Sequence, residues 1–270
     1  MGVTLLIFLI CSSFILGSII GSFLNVCIYR IPAGESIVKP RSRCPHCGEL
    51  IKWYHNVPIL SWVLLKAKCA YCSAPVSWRY PLVEALCGLL FALFLFRFGL
   101  QPATLVFWLL SAALVTISFI DLDHQIIPDV ISLPGIPIGF LCSFAIPWLS
   151  WQSSLVGIVL GGGLLLVIAL GYELLTKQEG MGFGDVKLLA MLGAFLGWPS
   201  IFPIIFIGSI LGTAVGVPLM LISKSDRKLA IPFGPFLSVG ALIYLFFVAY
   251  WAPLMYWYAE IFREIFSGLW

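Results

Sequence analysis

"LLLVIALGYELLTKQEGMGFGDVKLLAMLGAFLGW", residues 164–198, is an apolar run, a polar break and a second apolar run. The break carries Lys177, Asp185 and Lys187, and sets Gly180, Gly182 and Gly184 just before the aspartate. A span needs about 20 apolar residues to traverse a hydrocarbon core of about 30 Å, so a chain patterned this way is expected to cross a membrane repeatedly. The composition agrees, with 61% hydrophobic and 10% charged residues and a mean hydropathy of +1.07. Soluble domains hold roughly 45–50% apolar and 25% charged residues. A net charge of +3 carries no signature of a nucleic-acid binder.

Working outward from that break, apolar runs recur near 3–29, 82–97, 103–120, 130–149, 153–175, 186–198, 201–222 and 233–252. They predict an all-α polytopic membrane protein of about eight transmembrane helices. Lys and Arg beside short loops accumulate on the cytoplasmic side. If every run crosses, Arg30, Lys39, Arg41, Arg43, Lys52, Lys66, Lys68, Arg79, Lys177, Lys187, Lys224, Arg227 and Lys228 all fall there, and only Arg97 and Arg263 fall opposite. Both termini are then outside. The sixth run is short and is followed by Pro199, but making it re-entrant would move Lys224, Arg227 and Lys228 outward, so the charges favour a full crossing. The first run is too long for a signal-peptide core and lacks a basic lead-in or a small-residue cleavage site, so it is expected to be retained. Residues 254–266 read as an interfacial helix, with Glu260, Arg263 and Glu264 on one face and Tyr256, Trp257, Phe262 and Phe266 covering much of the rest.

The only long polar stretch, residues 30–80, is too small to build a core without a staple. The staple is expected in "CPHCG" at 44–48 and "CAYCS" at 69–73. Cys44, Cys47, Cys69 and Cys72 form two Cys-x2-Cys pairs, and four thiolates at the corners of a tetrahedron suit zinc. Two disulfides are the competing arrangement, and a reducing cytoplasmic side disfavours them. Four cysteines close the shell, which leaves His46 and His55 as surface residues or neighbours of the site. Cys11, Cys27, Cys87 and Cys142 lie in apolar runs and are expected to pack as small apolar side chains. "GSIIG" at 17–21 and "GGG" at 161–163 have the small residues that let helices approach closely, and Asn25 is expected to hydrogen-bond a neighbouring helix.

Acidic residues are scarce and concentrated. "DLDHQIIPD" at 121–129 carries Asp121, Asp123 and Asp129 where the third run ends, and an ionisable group at a membrane boundary marks a functional site by default. Two runs separate this loop from Asp185, one outward and one back, so both loops are expected at the same cytoplasmic edge. Two carboxyls that met there would share one proton, and the ionised member could take a proton from water while the other hydrogen-bonded a scissile carbonyl. The glycines before Asp185 are expected to permit unusual backbone conformations and let a substrate strand approach. Asp123 reads as a solvated helix cap, and Asp129 as an N-cap or first-turn charge of the fourth helix. His124 reads as a loop histidine, since no Ser or Cys lies in a nucleophile setting nearby. Lys187 is expected either to flank the membrane or to pair with a carboxylate or lipid phosphate. The residues alone leave open whether Asp121 or Asp123 is the partner of Asp185.

"GFGDVKLLAMLG" at 182–193 resembles the GxGD-type aspartic protease motif in the form found in type IV prepilin peptidases, and "FIDLDHQIIPD" at 119–129 resembles that family's first-aspartate motif. "GSFLNVCIYRIP" at 21–32, the paired cysteine knuckles and "RYPLVE" at 79–84 resemble its amino-terminal third, all in family order. The resemblance implies a bifunctional prepilin leader peptidase and N-methyltransferase of the bacterial inner membrane. Such an enzyme cuts the basic leader of a pilin or pseudopilin precursor after a glycine, then methylates the new terminus with S-adenosylmethionine. It also implies Asp121 and Asp185 as the catalytic acids, Cys44, Cys47, Cys69 and Cys72 as zinc ligands, and Gly182, Gly184 and Lys187 as the substrate loop.

The expected organisation is a first helix over 1–29, a zinc module over 30–80, a transmembrane peptidase region over 81–252 and an interfacial tail over 253–270. A peptidase without methylation, a methyltransferase without proteolysis, and a proton- or cation-coupled transporter are the competing functions; a transporter favours acids at the bilayer midplane rather than at one face.

Overall fold

The computed structural model describes residues 2–177, 182–223 and 231–247. The expected tail at 253–270, together with Gly180, Lys224, Arg227 and Lys228, lies outside the described residues. Among the described residues all the regular structure is helical: α1 Val3–Arg30, α2 Leu60–Leu64, α3 Arg79–Phe98, α4 Pro102–His124, α5 Asp129–Cys142, α6 Trp151–Thr176, α7 Phe183–Leu196, α8 Ile201–Ser223 and α9 Gly234–Phe247. Among the described residues, five helices are long and apolar enough to cross a bilayer, namely α1, α3, α4, α6 and Trp198–Ile222, which includes most of α8. The fourth, sixth and eighth runs of the sequence form shorter apolar helices. Helix α5 carries Pro134 and Pro137 and gives way to a 3₁₀ turn at Ser143–Ala145. Helix α7 has 14 residues, about 21 Å at 1.5 Å per residue, less than the hydrocarbon thickness.

The chain divides into two compact units, Met1–Ile131 and Ser132–Trp270. In the first, α1 lies against α3 through the expected small residues. A Cβ added at Gly17 would come 2.7 Å from the Cys87 carbonyl oxygen, and one at Gly21 would come 2.7 Å from Glu84 Cα. Asn25 Nδ2 donates to the Tyr80 carbonyl 3.1 Å away, the interhelical bond its position predicts. Helices α3 and α4 enclose Cys87, Phe94, Phe107, Leu110, Leu114 and Ile117. The Phe91 and Trp108 rings stack at 4.8 Å, with Trp108 Nε1 donating to the Phe91 carbonyl. On α1, Ile7, Phe8, Ile15, Ile19 and Phe23 are exposed; side chains so apolar on an uncovered face suit lipid rather than water.

In the second unit α7 is the buried element, with every residue from Leu188 to Leu196 inaccessible. Gly157 of α6 meets Gly193 of α7, each occupying the space a Cβ on the other would need. Gly161 approaches the Leu189 carbonyl in the same way, and Ser154 Oγ donates to the Ala194 carbonyl at 2.7 Å. Of the "GGG" run, Gly161 and Gly162 are packed, whereas a Cβ at Gly163 would meet nothing. Helix α7 stops at Gly197, whose φ of +79° is closed to most residues and whose Cβ would strike Ser153 Oγ. Gly193→Leu should therefore force α6 and α7 apart at a cost of about 1–3 kcal/mol or more, seen as a lower melting temperature in detergent. An unchanged melting temperature would mean the contact is loose.

Candidate functional site

Cys44, Cys47, Cys69 and Cys72 come together with their sulfur atoms all within 4.8 Å of one another. Cys44 Sγ and Cys72 Sγ are 3.8 Å apart, matching the edge of a tetrahedron with metal–sulfur bonds of about 2.3 Å, which is about 3.8 Å. A disulfide needs about 2.05 Å, and all four cysteines are free thiols. The donor set and spacing fit zinc.

The two knuckles repeat one backbone design. Gly48 N–H donates to the Cys44 carbonyl at 2.9 Å, and Ser73 N–H donates to the Cys69 carbonyl at 3.0 Å. Gly48 and Ser73 both have positive φ, +73° and +58°, and an isolated bridge flanks each knuckle, Arg43 with Leu50 and Lys68 with Pro75. N–H groups of Cys72 and Tyr71 help lower the Cys69 thiol to about 7. The Glu49 N–H lowers Cys47, but desolvation and hydrogen bonds with Cys72 and Cys44 outweigh it and push that thiol up to about 11. A bound metal deprotonates such thiols outright. His55 stands beside the module as expected, its ring edge-on to Tyr71 at 6.0 Å, with Nδ1 buried and without a hydrogen-bond partner.

The module is fastened to the spans by contacts the sequence does not announce. Glu84, 7% exposed on α3, accepts a 2.7 Å hydrogen bond from Ile59 N–H through Oε2. Ile59 has φ of +61°, rare for a β-branched residue, so this carboxylate holds the turn that starts α2. Arg30, at the end of α1, donates to the carbonyls of Ser36 and Pro40 at 2.9 and 2.8 Å. A charge inside an apolar run was the available signal for Glu84.

Asp121 and Asp123 sit in the last turn of α4. Asp121 is 4% exposed, and its carbonyl accepts from Gln125 N–H at 2.8 Å, where Gln125 turns left-handed and ends the helix. Asp123 is exposed, as a solvated side chain would be, but it is not a cap. It lies within the helix, and its Oδ2 pairs with Arg79 Nη1. The outward-facing acid has a cation to neutralise it, and Asp121 faces inward. His124 is exposed at the helix end, and Asp129 opens α5 as a first-turn charge, as its sequence position predicts.

In the second unit Asp185 lies in the first turn of α7, 9% exposed, with its N–H donating to the Gly182 carbonyl at 3.1 Å. The expectation of a glycine-only backbone fails here. Gly182 has φ −68° and ψ 133°, an extended conformation open to any residue, and Gly184 is already helical. Among the described residues, the nearest atoms to a Cβ on Gly182 would be Asp185 Oδ2 and Gly184 N, both 3.9 Å away. Lys187 is half-buried one turn into the helix.

Residues 15–98 match the bacterial peptidase A24 N-terminal domain, and residues 108–217 match the type IV leader peptidase family. A Stutzerimonas stutzeri protein named prepilin leader peptidase/N-methyltransferase is 36% identical over 89% of this chain and 91% of its own length. A Pseudomonas aeruginosa protein of the same name is 35% identical over 89% and 90%. A Myxococcus xanthus protein, also so named, is 42% identical over 77% of this chain, a match that spans 62% of the Myxococcus protein's length. No solved structure matches the chain.

Proposed function

The chain belongs to the type IV leader peptidase family, and on that premise we propose that it is a membrane aspartyl endopeptidase and N-methyltransferase. It cuts the basic leader from prepilin and pseudopilin precursors and methylates the amino terminus it exposes. The observation that carries the reading is the placement of two inaccessible carboxyls at helix ends in a chain with few acids: Asp121 at the close of α4 and Asp185 at the start of α7. A structural acid at such a boundary is expensive, whereas a hydrolytic one is used.

The two carboxyls are assigned the base and acid halves of peptide hydrolysis. A helix's first turn favours an anion, and its last turn does not. Asp185 is accordingly the carboxylate that takes the water's proton, and Asp121 is the carboxylic acid that hydrogen-bonds the scissile carbonyl oxygen and then protonates the leaving amine. No covalent intermediate forms. Gly182, Gly184 and Lys187 form the stretch that meets the substrate strand beside Asp185. S-adenosylmethionine enters as second substrate and supplies the methyl group for the new amine. Zinc on Cys44, Cys47, Cys69 and Cys72 is structural, holding the module together rather than touching the reaction.

All eight apolar helices cross the membrane in this reading, with both termini outside and the active site at the cytoplasmic face of the inner membrane. A precursor's own apolar helix lies in the same bilayer, so its junction is held at headgroup depth, and tethering removes much of the orientation cost. Anionic lipid draws the basic leader to that surface. The test is incubation of detergent-purified protein with a synthetic precursor, with and without methyl donor, followed by mass analysis of the amino terminus. A shortened, methylated product is expected. A shortened product that stays unmethylated would reduce the enzyme to a peptidase, and an intact precursor would overturn the reading.

A further inference from the structure

We propose that Arg79 is a positioning residue for the peptidase reaction: its guanidinium staples the last turn of α4 and thereby fixes Asp121. The inference rests on the reading of Asp121 as a reacting acid. Arg79 opens α3 and reaches across to α4 with three contacts. Nη1 pairs with Asp123 Oδ2, Nη2 donates to the Phe119 carbonyl at 2.9 Å, and the guanidinium carbon lies 4.9 Å from the centre of the Phe119 ring. Residues 119 and 123 stand one helical turn apart, and Asp121 lies midway between them. One rigid fork therefore grips both ends of the turn that carries the acid.

That turn needs such a grip. It is the end of the helix, where intrahelical hydrogen bonds run out and fraying begins, and beyond it Gln125 already has a left-handed backbone. The planar guanidinium can hold a carboxylate, a carbonyl and an aromatic face at once, which an ammonium cannot. The same contact neutralises Asp123, so the negative charge nearest Asp121 along the chain is compensated. Arg79 is itself only 29% exposed at its side chain, and its backbone N–H donates to Ser77 Oγ, so the fork has a fixed base.

The test compares Arg79→Ala, Arg79→Lys, Asp123→Ala and the Arg79→Ala/Asp123→Ala double variant in proteoliposomes with a synthetic precursor, reading kcat and KM separately. A loosened Asp121 costs turnover rather than binding. Arg79→Ala and Asp123→Ala should each lower kcat about tenfold to hundredfold with KM little changed. The double variant should be no worse than the worse single one, because both remove one device. Arg79→Lys should recover part of the loss. An unchanged kcat in Arg79→Ala, a rise in KM alone, or additive losses in the double variant would each overturn the proposal. If Arg79→Ala does not insert, Asp123→Ala decides, since it leaves the contact with Phe119 in place. Asp121→Asn separates the two levels: full cleavage by that variant defeats the peptidase mechanism, whereas a dead Asp121→Asn beside normal Arg79→Ala and Asp123→Ala defeats only this inference.

Discussion

Asp121→Asn and Asp185→Asn are each expected to abolish cleavage of a prepilin-type precursor, by about 10²–10⁴-fold or more, while the protein stays inserted and folded. Asn keeps the shape and burial of Asp but can neither take the water's proton nor return one to the leaving amine. The loss should fall on turnover, because Asn at 121 can still donate a hydrogen bond to the scissile carbonyl and Asp185 is not asked to hold the substrate. Asp129→Asn is the matched control. Asp129 belongs to the same acidic stretch but begins α5 as a helix-start charge, where an uncharged side chain costs only about 0.3–1 kcal/mol of helix stabilisation. Its cleavage should stay near that of the unaltered protein. Processing by either of the first two variants at a normal rate would remove that acid from the mechanism.

The choice of Asp121 over Asp123 shows where sequence reading stops. Two acids two residues apart look alike in a polar break, and only the family resemblance distinguishes them. In three dimensions they differ, because a helix turns about 100° per residue and sends the two side chains to opposite faces. One is inaccessible, and the other is paired with Arg79 from α3. Nothing near Asp123 in the chain announces Arg79, since 44 residues separate them. The same holds for Glu84 and Ile59, joined across 25 residues. Contacts that depend on a left-handed isoleucine and a carboxylate on another helix have no periodic signature.

What was legible is what periodicity and spacing encode. Within the described residues each apolar run contains a helix, and the small residues of α1 lie where a backbone approaches. The two cysteine pairs met. The breaks were less legible: the "GFGD" glycines suggested an irregular loop, yet Gly182 and Gly184 sit at an ordinary helix start, with the left-handed glycine at Gly197 instead. Sequence marks glycine as permissive, but only packing reveals whether space or backbone torsion is being used. Run length was also an imperfect guide, since Pro134 and Pro137 did not stop α5 and its end came at Cys142, short of the apolar run's own limit.

Removal of the metal is expected to unfold the module between α1 and α3 and leave the apolar helices intact. Across residues 31–78, Cys44 is the only buried residue, so this segment has no hydrophobic core to fall back on. With zinc on the four cysteines, its order would depend on a centre whose apparent binding free energy, by analogy with small structural zinc sites, is about 10–16 kcal/mol. Purified protein should hold about one zinc per chain, and replacing Cys44 and Cys69 by Ser should bring that close to none. In the metal-free protein, proteolysis should concentrate within 31–78, while helical content, set mainly by the long apolar helices, changes little. A reductant alone should do nothing, because the four thiols are free. Protease resistance that survives chelation, or that reductant abolishes, would mean that something other than a metal staples the knuckles. Cleavage should weaken less than in the Asp121 and Asp185 variants, because the module's zinc is not asked to take part in the reaction and the segment is held to α3 through Glu84.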